Sequence, residues 1–592
     1  TWEEDIPAER EELEEKLPLA LATAGRSEPV VIVIDGLNQV LADGRDLRWL
    51  PWHTPAGVRL VLSVIPGECL DLLQQREWPM QEVPLLSADL QREVATQYLG
   101  RFRKKLPEEL LDELVAAPPT ANPLYLKVLL DELRVFGEHE QLAQKLRWYL
   151  EATKPDALYD RMLTRLEEDY EGKRTGLVGE ALSLIWASRN GLSENELLEL
   201  LGGEDQPALP WTTWAPLHLA LQESLALRGG RLTFFHDYLR QAVEKRYVPN
   251  QTTRQPLHLQ LAKYFEPGSD SLSASQSQIY WENVNQGVLL SRIVEELPWQ
   301  LAQAESWNDL QTWLLNIPMF LNLHERSWLE IWGYWRKIIN ATSEKPDLGF
   351  AYRQSLDAWR KELDSKPEVV YLDDDLPPEQ VAAMADEPFR DHSYRFALDD
   401  VRDFLRRSGD ASAAEQFARE SLDLAIAQLD PDHPYLATSY NNIGEVCLSK
   451  GEYDQALEFF HKSLGISLEQ PNPEHLHVAR GYNNIGEAHR EKGEYDQALD
   501  YYQKSLAIFS DQLGVDHLVA VSYNNIGGVH YGKGDYDHAL EFHQKSLTIR
   551  IKQLGPDNLS VGESLGHIGA VYASKGEYDH ALEYHQKSLA IL

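Results

Sequence analysis

One carboxylate in the amino-terminal part of the chain directly follows a run of residues that reads as a buried strand. Val30 to Ile34 is an unbroken aliphatic run, and Asp35 comes immediately after it. A second aliphatic run extends from Val58 to Val64. Such runs are typical of parallel strands that are covered on both faces. Because open α/β sheets bind ligands at the carboxyl ends of their strands, we expect Asp35 to face a ligand.

Paired side-chain amides form the second group of residues with useful chemistry. They occupy equivalent places in three related segments and are Asn441, Asn442, Asn483, Asn484, Asn524 and Asn525. An amide donates and accepts hydrogen bonds at once, so it can bind peptide main chain without selecting its side chains. These amides can equally bridge adjacent repeats, and the two roles are compatible.

The amides recur because the last third of the chain repeats itself. Related segments begin at Tyr440, Tyr482, Tyr523 and Leu565, at steps of 42, 41 and 42 residues. The apolar spacing of each segment predicts two helices separated by a glycine. A more divergent copy of the repeat, around Gly409, precedes the four clear ones. A repeated helix pair cannot bury its own apolar face, so the copies must stack into an α-solenoid.

The repeated positions resemble the tetratricopeptide consensus in its longer, 42-residue form, as in kinesin light chains, over residues 393 to 592. The resemblance implies that the first helix of each unit lines a concave groove. It also implies that Asn442, Asn484 and Asn525 hold an extended protein or peptide ligand, with the preceding asparagines beside them. His567 replaces this asparagine in the fourth copy, so we expect the groove to weaken or change there.

Segments upstream resemble the NACHT-type signal-transduction ATPases, and most closely the nephrocystin-3 group, which also carries tetratricopeptide repeats. VIVIDGLNQV, RLVLSVIPG, ANPLYLKVLLDELRVFG and LTFFHDYLRQAVEKRY follow one another between residues 30 and 250. The resemblance implies ADP or ATP with Mg²⁺ as cofactor, and makes Asp35 the Walker B acid that holds Mg²⁺ through water. Ser63 would lie on the sensor strand, Pro123 would touch the base, and His236 would reach the β-phosphate of ADP.

A winged-helix domain is also indicated by the residues around His236. Ser193 and Glu196 have the spacing of a capping box at the start of a helix. Apolar residues alternate on both sides of Gly229 and Gly230, as in a two-stranded wing. His236 follows this wing and precedes the last helix, whose backbone N–H groups would favour a phosphate.

Three departures from the family bear on its chemistry. Asn38 and Gln39 stand where related proteins have acidic residues, and an amide cannot accept a proton from water. The sensor strand ends in Ile65-Pro66 without the arginine of many relatives. The G-x-x-x-x-G-K-[ST] phosphate loop does not occur, and only 29 residues precede Val30. We therefore expect that the chain is either truncated before or at that loop or descends from a protein that lost it, and that ATP hydrolysis is slow or absent.

The predicted fold is multidomain and mostly α, with a partial α/β core of the P-loop NTPase type. The predicted boundaries are a core at 1–104, a helical lid at 105–172, a winged helix at 173–250, a helical spacer at 251–366, a linker at 367–392 and the repeats at 393–592.

Composition limits the possible partners. The chain has 592 residues and a formal net charge of -38, which disfavours nucleic acid and anionic membranes and favours basic protein surfaces. No apolar run approaches the ~20 residues of a membrane span. Cys69 and Cys447 stand alone, so a reducing, cytoplasmic location is expected.

Two functions fit these features. In the first, the chain is a nucleotide-gated signalling switch: the repeats sense a ligand, and the NACHT-like core controls an open state that forms homo-oligomers. In the second, the core is vestigial and the chain is an ATP-independent scaffold.

Overall fold

The computed structural model describes residues 30–34, 50, 57–64, 68–74, 78–82, 84–135, 141–172, 174–203, 207–267, 291–343, 345–365, 389–470, 475–510, 516–554 and 558–591. The chain divides into two compact units. The first contains Thr1–Trp78, Leu315–Trp332 and Glu344–Leu592, and the second contains Pro79–Leu314 and Gly333–Ser343.

The two aliphatic runs form a parallel strand pair, as predicted. Strand β1 (Val30–Ile34) pairs with β2 (Val58–Leu62), so that the two strands end side by side. Helix α1 (Glu68–Gln74) packs its Cys69 and Leu73 against one face of this pair.

The expectation that both faces of these strands are covered is wrong for the described residues. Val31, Val33 and Val61 point away from α1 and are 60%, 67% and 53% exposed. An unbroken aliphatic run shows that either face can be buried, but the covering element decides which face is. Among the described residues, the core around Cys69 covers one face only.

The second unit begins with helices that contain a buried ionic cluster. They are α2 (Ala88–Arg101), α3 (Glu108–Ala116), α4 (Pro123–Val135), α5 (Leu142–Leu150) and α6 (Pro155–Tyr170), with a 3-10 turn at Pro118–Ala121. Glu132 on α4 accepts hydrogen bonds from the Tyr149 hydroxyl of α5 and the Arg165 guanidinium of α6, each at 2.5 Å. This carboxylate therefore ties three helices together.

A helix and hairpin module follows in the same unit. Its elements are α7 (Leu177–Ala187), α8 (Glu194–Leu200), α9 (Trp211–Leu221), β3 (Leu225–Arg228), β4 (Arg231–Phe234) and α10 (Asp237–Tyr247). The predicted capping box is confirmed, because Ser193 and Glu196 bond reciprocally at the start of α8. The predicted hairpin is also confirmed, since β3 and β4 are antiparallel and both Gly229 and Gly230 have positive φ.

Further helices continue the chain. In the second unit they are α11 (Gln251–Phe265), α12 (Ser291–Gln303) and α13 (Trp307–Leu314), and α14 (Ile317–Arg326), α15 (Trp328–Thr342) and α16 (Leu348–Ser365) come next. Fully buried Glu296 on α12 accepts from the backbone N–H groups of Arg189 and Asn190, at 3.1 and 3.2 Å. These bonds hold α12 against the end of α7.

The repeats form successive helix pairs, as the sequence predicts. The pairs are α17 (Phe389–Arg407) with α18 (Ala411–Gln428), α19 (Pro434–Ser449) with α20 (Tyr453–Glu469), α21 (His475–Glu491) with α22 (Tyr495–Ile508), α23 (Asp516–Gly532) with α24 (Tyr536–Leu554), and α25 (Leu559–Lys575) with α26 (Tyr578–Ile591). A glycine with φ between +75° and +92° joins the helices of each pair, at Gly409, Gly451, Gly493, Gly534 and Gly576. Across the described residues, no helix is long and apolar enough to cross a membrane.

Within each clear pair a second glycine lets an aromatic ring of the partner helix lie directly against the backbone. A Cβ on Gly444 would lie 2.6 Å from Phe460, and one on Gly486 would lie 2.9 Å from Tyr502. His543 and His585 occupy the ring position against the corresponding glycines of the next two pairs. The helix pairs can approach this closely only because these positions have no side chain.

We predict that Gly444→Ala destabilises the first clear repeat by about 1–3 kcal/mol, because buried Phe460 has no space to move away. Gly465→Ala is the matched control, since a Cβ there meets no atom within 4 Å. In the helix interior it should stabilise by about 0.5–1 kcal/mol. Hydrogen exchange of α19 and α20 measures both effects, and equal effects of the two substitutions would contradict the packing described here.

We predict that acid weakens the third clear repeat through His543. Burial, together with the nearby His567 and Arg550 side chains, lowers the pKa of His543 to about 3. In the unfolded chain His543 therefore binds a proton near pH 6.5, whereas in the folded repeat it stays neutral to much lower pH. The free energy of unfolding therefore falls as the pH drops below about 6.5. Between pH 7.5 and 5 the loss should be about 1–2 kcal/mol.

His543→Phe copies the ring that the first clear repeat has at Phe460 and removes this titration, together with the 3.0 Å contact between His543 Nδ1 and Asn524 Oδ1. Hydrogen exchange of α23 and α24 at the two pH values should show a smaller acid effect in this variant. An unchanged acid effect would exclude His543 as its source.

Candidate functional site

The residues predicted to bind nucleotide lie in different parts of the described structure. Asp35, with Asn38 and Gln39, is outside the described residues. Ser63 follows β2, and its N–H donates to the carbonyl of Ile34 at 3.0 Å, so it lies beside the end of β1. Pro123 and His236 belong to the second unit.

Pro123 occupies the first turn of α4, where its missing N–H costs no hydrogen bond. The Oδ1 atom of Asn122 accepts from the N–H groups of Leu124 and Tyr125, at 2.9 and 3.1 Å. The Asn122 side chain thus fixes the start of α4, and Pro123 is exposed beside it.

His236 immediately precedes α10, and its ring packs edge-on against Phe235. It lines a depression in the second unit together with Leu124, the neighbour of Pro123. The carboxylates of the depression are Asp131, Glu132 and Glu223, and its cations are Lys127 and Arg134. This charge balance is unfavourable for a phosphate at His236.

The cations of the depression already have partners. Lys127 Nζ lies 3.2 Å from Asp131 Oδ2 and 3.6 Å from Glu223 Oε2. The Arg134 guanidinium lies over the ring of Phe102, 4.6 Å from its centre. Lys127 is therefore already ion-paired, and Arg134 lies against an aromatic ring.

Hydrogen bonds between asparagine side chains join adjacent repeats of the solenoid. Asn484 Nδ2 donates to Asn441 Oδ1 at 2.8 Å, and Asn525 Nδ2 donates to Asn483 Oδ1 at 2.9 Å. Each bond joins the first helices of adjacent repeats. We call these four side chains, with Asn524, the asparagine ladder. The bridging role predicted for the asparagines is confirmed for these four, whereas Asn442 is buried, at 7% exposed.

His567 continues the ladder instead of ending it. Its Nδ1 atom lies 2.8 Å from Asn524 Oδ1, in the place that the asparagines take in the preceding repeats. The expectation that the groove weakens or changes at His567 stays a prediction, and the bond to Asn524 forms because an imidazole nitrogen can replace an amide as the partner of an amide oxygen.

Carboxylates flank one end of the ladder. Glu445 accepts from Asn441 Nδ2 at 2.9 Å. In the next repeat, Glu487 accepts from the Arg490 guanidinium and from the Tyr502 hydroxyl of the same helix pair. Burial raises the pKa of Glu487, but the bonds from Arg490 and Tyr502 outweigh it and keep the pKa below its ordinary value. Glu487 is therefore a fixed negative charge at neutral pH.

The other end of the ladder has open space. Gly528 takes the equivalent position in the third clear repeat, and a Cβ there would meet no atom within 4 Å. The ladder surface therefore changes from acidic to small residues along the solenoid.

One cluster in the repeats was missed by the sequence argument. Single ligand atoms of His530, Asp535 and His538 lie within 4.8 Å of one another. The signal was present, because two histidines and an acid flank Gly534, but no other clear repeat has all three.

Comparison with known proteins identifies the repeats. The family model described as Tetratricopeptide repeat matches residues 403–469, 437–511, 477–551 and 518–592. A TPR repeat-containing protein of Dictyostelium discoideum is 29% identical over 329 residues, which cover 55% of this chain and 18% of that protein. Human nephrocystin-3 is 25% identical over 424 residues, which cover 70% of this chain and 28% of nephrocystin-3. The chain thus spans less than a third of each relative.

Among solved structures, the chain is similar to a Signal Transduction ATPase with Numerous Domains protein with a tetratricopeptide repeat sensor, from Pyrococcus horikoshii. That match has 13% identity and a TM-score of 0.33, and covers 98% of this chain and 83% of the other. The helix pairs and the family match agree on the carboxyl-terminal third. Residues 403–592 therefore consist of tetratricopeptide repeats.

Proposed function

We propose that the repeats bind an extended segment of a partner protein along the asparagine ladder. The observation that carries this proposal is the series of hydrogen bonds between the first helices of adjacent repeats. Asparagine amides from Asn441 to Asn525 form it, and the imidazole of His567 extends it by one repeat. First helices of adjacent repeats contact one another directly, so they line one continuous surface. A ligand lying across them would meet an amide from each successive repeat.

The ladder leaves hydrogen-bonding capacity for such a ligand. An asparagine amide has two N–H donors and an oxygen with two lone pairs. The bond between Asn484 and Asn441 uses one donor and one acceptor site. The remaining donors and acceptors match peptide main chain, which presents both kinds of group along its length.

Charge favours a basic partner segment. The chain carries a net charge of -38, and Glu445 and Glu487 flank the ladder. An approaching basic segment gains from the overall field, whereas Glu445 and Glu487 are already paired with Arg402, Arg406 and Arg490. Side chains of the segment would find space beside Gly528.

We predict that replacing two ladder amides, by Asn484→Ala with Asn525→Ala, weakens peptide binding at least about tenfold, the effect of losing one or two hydrogen bonds. The probes are ten-residue basic peptides selected on the full chain from a displayed library. Their affinities are then measured by fluorescence anisotropy on parent and variant.

Gln503→Ala with Gln544→Ala is the matched control, because it removes two exposed amides from the second helices of the same repeats. This control should bind as the parent does. Equal affinities of the ladder variant and the parent, with both chains folded by circular dichroism, would exclude the ladder as the binding surface.

We propose as a second function that a nucleotide on the NACHT-like core gates this binding surface. ADP would hold the core closed, and a ligand on the repeats would favour the open, oligomerising state, provided that it binds that state more tightly. The alternative is an ATP-independent scaffold with a vestigial core.

Several observations support gating. The nephrocystin-3 alignment covers 70% of this chain, more than the matched repeats contain. The parallel strands β1 and β2 and the hairpin before α10 are elements that such a core requires.

One observation favours the scaffold instead. The carboxylates Asp131 and Glu223 lie near His236 and oppose the binding of a phosphate there.

We predict that MgADP binds this chain weakly and that His236→Ala lowers the affinity several-fold, because the imidazole would donate to a phosphate oxygen. Isothermal titration of the purified chain measures this. His218→Ala is the control, since His218 lies in the same module but packs on Trp214 outside the depression. No heat with MgADP, or the same affinity in both variants, would favour the scaffold.

A further inference from the structure

We infer that His530, Asp535 and His538 form a binding site for Zn²⁺ at the turn of the third clear repeat. The three side chains come from the end of α23, the turn after Gly534 and the start of α24. Imidazole and carboxylate are established ligands of zinc, and three protein ligands leave a fourth position for water or another donor.

Two of the three distances between the donor atoms are close to those that zinc requires, and all three lie within 4.8 Å. His530 Nδ1 lies 3.3 Å and His538 Nδ1 lies 2.7 Å from the same atom, Asp535 Oδ2. Zinc bonds of about 2.0–2.1 Å in tetrahedral geometry place neighbouring ligand atoms roughly 3.4 Å apart. Small movements of the side chains therefore suffice to bind the ion.

The ring of His530 is already oriented by packing. It stacks on Phe542 of α24 with an interplanar angle of 12°. His489, its counterpart in the preceding repeat, stacks on Tyr501 at 11° and points Nδ1 at Glu494, 2.7 Å away. The stacking thus occurs in more than one repeat. Because it already orders the His530 side chain, binding of the ion loses little conformational entropy there.

Neighbouring repeats each have part of the site. The second clear repeat has His489 and Glu494, but Gln497 at the third position. The fourth has Glu577 and His580, which lie 3.1 Å apart, but Tyr572 at the first position. Only the third clear repeat combines two histidines with an acid, so this cluster is not a general feature of the solenoid.

The carboxylate of Asp535 also lacks the cation that its counterparts have. Lys492 lies 2.9 Å from Glu494, and Lys575 lies 3.3 Å from Glu577. Lys533 instead pairs with Asp496 of the preceding repeat, at 2.7 Å. Within the described residues, the ion-pair partners of Asp535 are the two histidines. Its charge is therefore available to a metal ion.

The site is open to solvent on one side. The side chain of His538 is 60% exposed and that of Asp535 is 41% exposed, whereas His530 is largely covered. A bound ion would be reached from that side and would keep a water there. It would also fasten the two helices of the repeat at their shared turn.

The test is calorimetric titration of the metal-free full chain with ZnCl₂ in a non-chelating buffer. We expect one equivalent to bind with a Kd below about 100 µM. His538→Gln and His530→Tyr should each weaken this binding at least about tenfold. Both substitutions copy residues found in neighbouring repeats, Gln497 and Tyr572, so the helices should fold as before.

His580→Gln is the control for adventitious zinc on surface histidines, and it should leave the bound equivalent unchanged. Zinc should also raise the unfolding temperature of the parent, but not that of His538→Gln. No zinc binding by the parent, or the same affinity in the parent and His538→Gln, would overturn the assignment.

Discussion

The close approach of the two helices in each repeat is the contact on which the rest of the solenoid depends. A glycine on the first helix lies against a ring of the second, as Gly444 does against Phe460. This contact sets the distance between the helices and so the surface that the next repeat must cover. Since one repeat cannot bury its apolar face alone, each is stable only when its neighbours repeat the same spacing.

The functional features follow from this spacing. First helices held at a constant separation bring Asn484 to Asn441 and Asn525 to Asn483, which an irregular stack would not do. The same geometry orients the turn at Gly534, where His530 and His538 converge on Asp535. The asparagine ladder and the cluster of His530, Asp535 and His538 thus lie on the same solenoid. The ladder recurs from repeat to repeat, whereas the cluster depends on substitutions in one repeat.

Local features of the fold could be predicted from the sequence because short-range spacing determines them. The glycines at Gly451 and Gly493, the capping box at Ser193 and the hairpin at Gly229 each depend on a few adjacent residues. The exposed face of β1 could not be predicted, because it depends on which element packs there. The acidic surroundings of His236 come from α4, about a hundred residues earlier, and only the fold brings Asp131 to that histidine.

The most direct test of the ladder as a binding surface is a crystal structure of the full chain with one selected basic peptide. We expect an extended peptide whose main-chain N–H and C=O groups lie within about 3.2 Å of the amides of Asn484 and Asn525. A peptide bound to the second helices, with the ladder bonds intact and no contact to these amides, would contradict it.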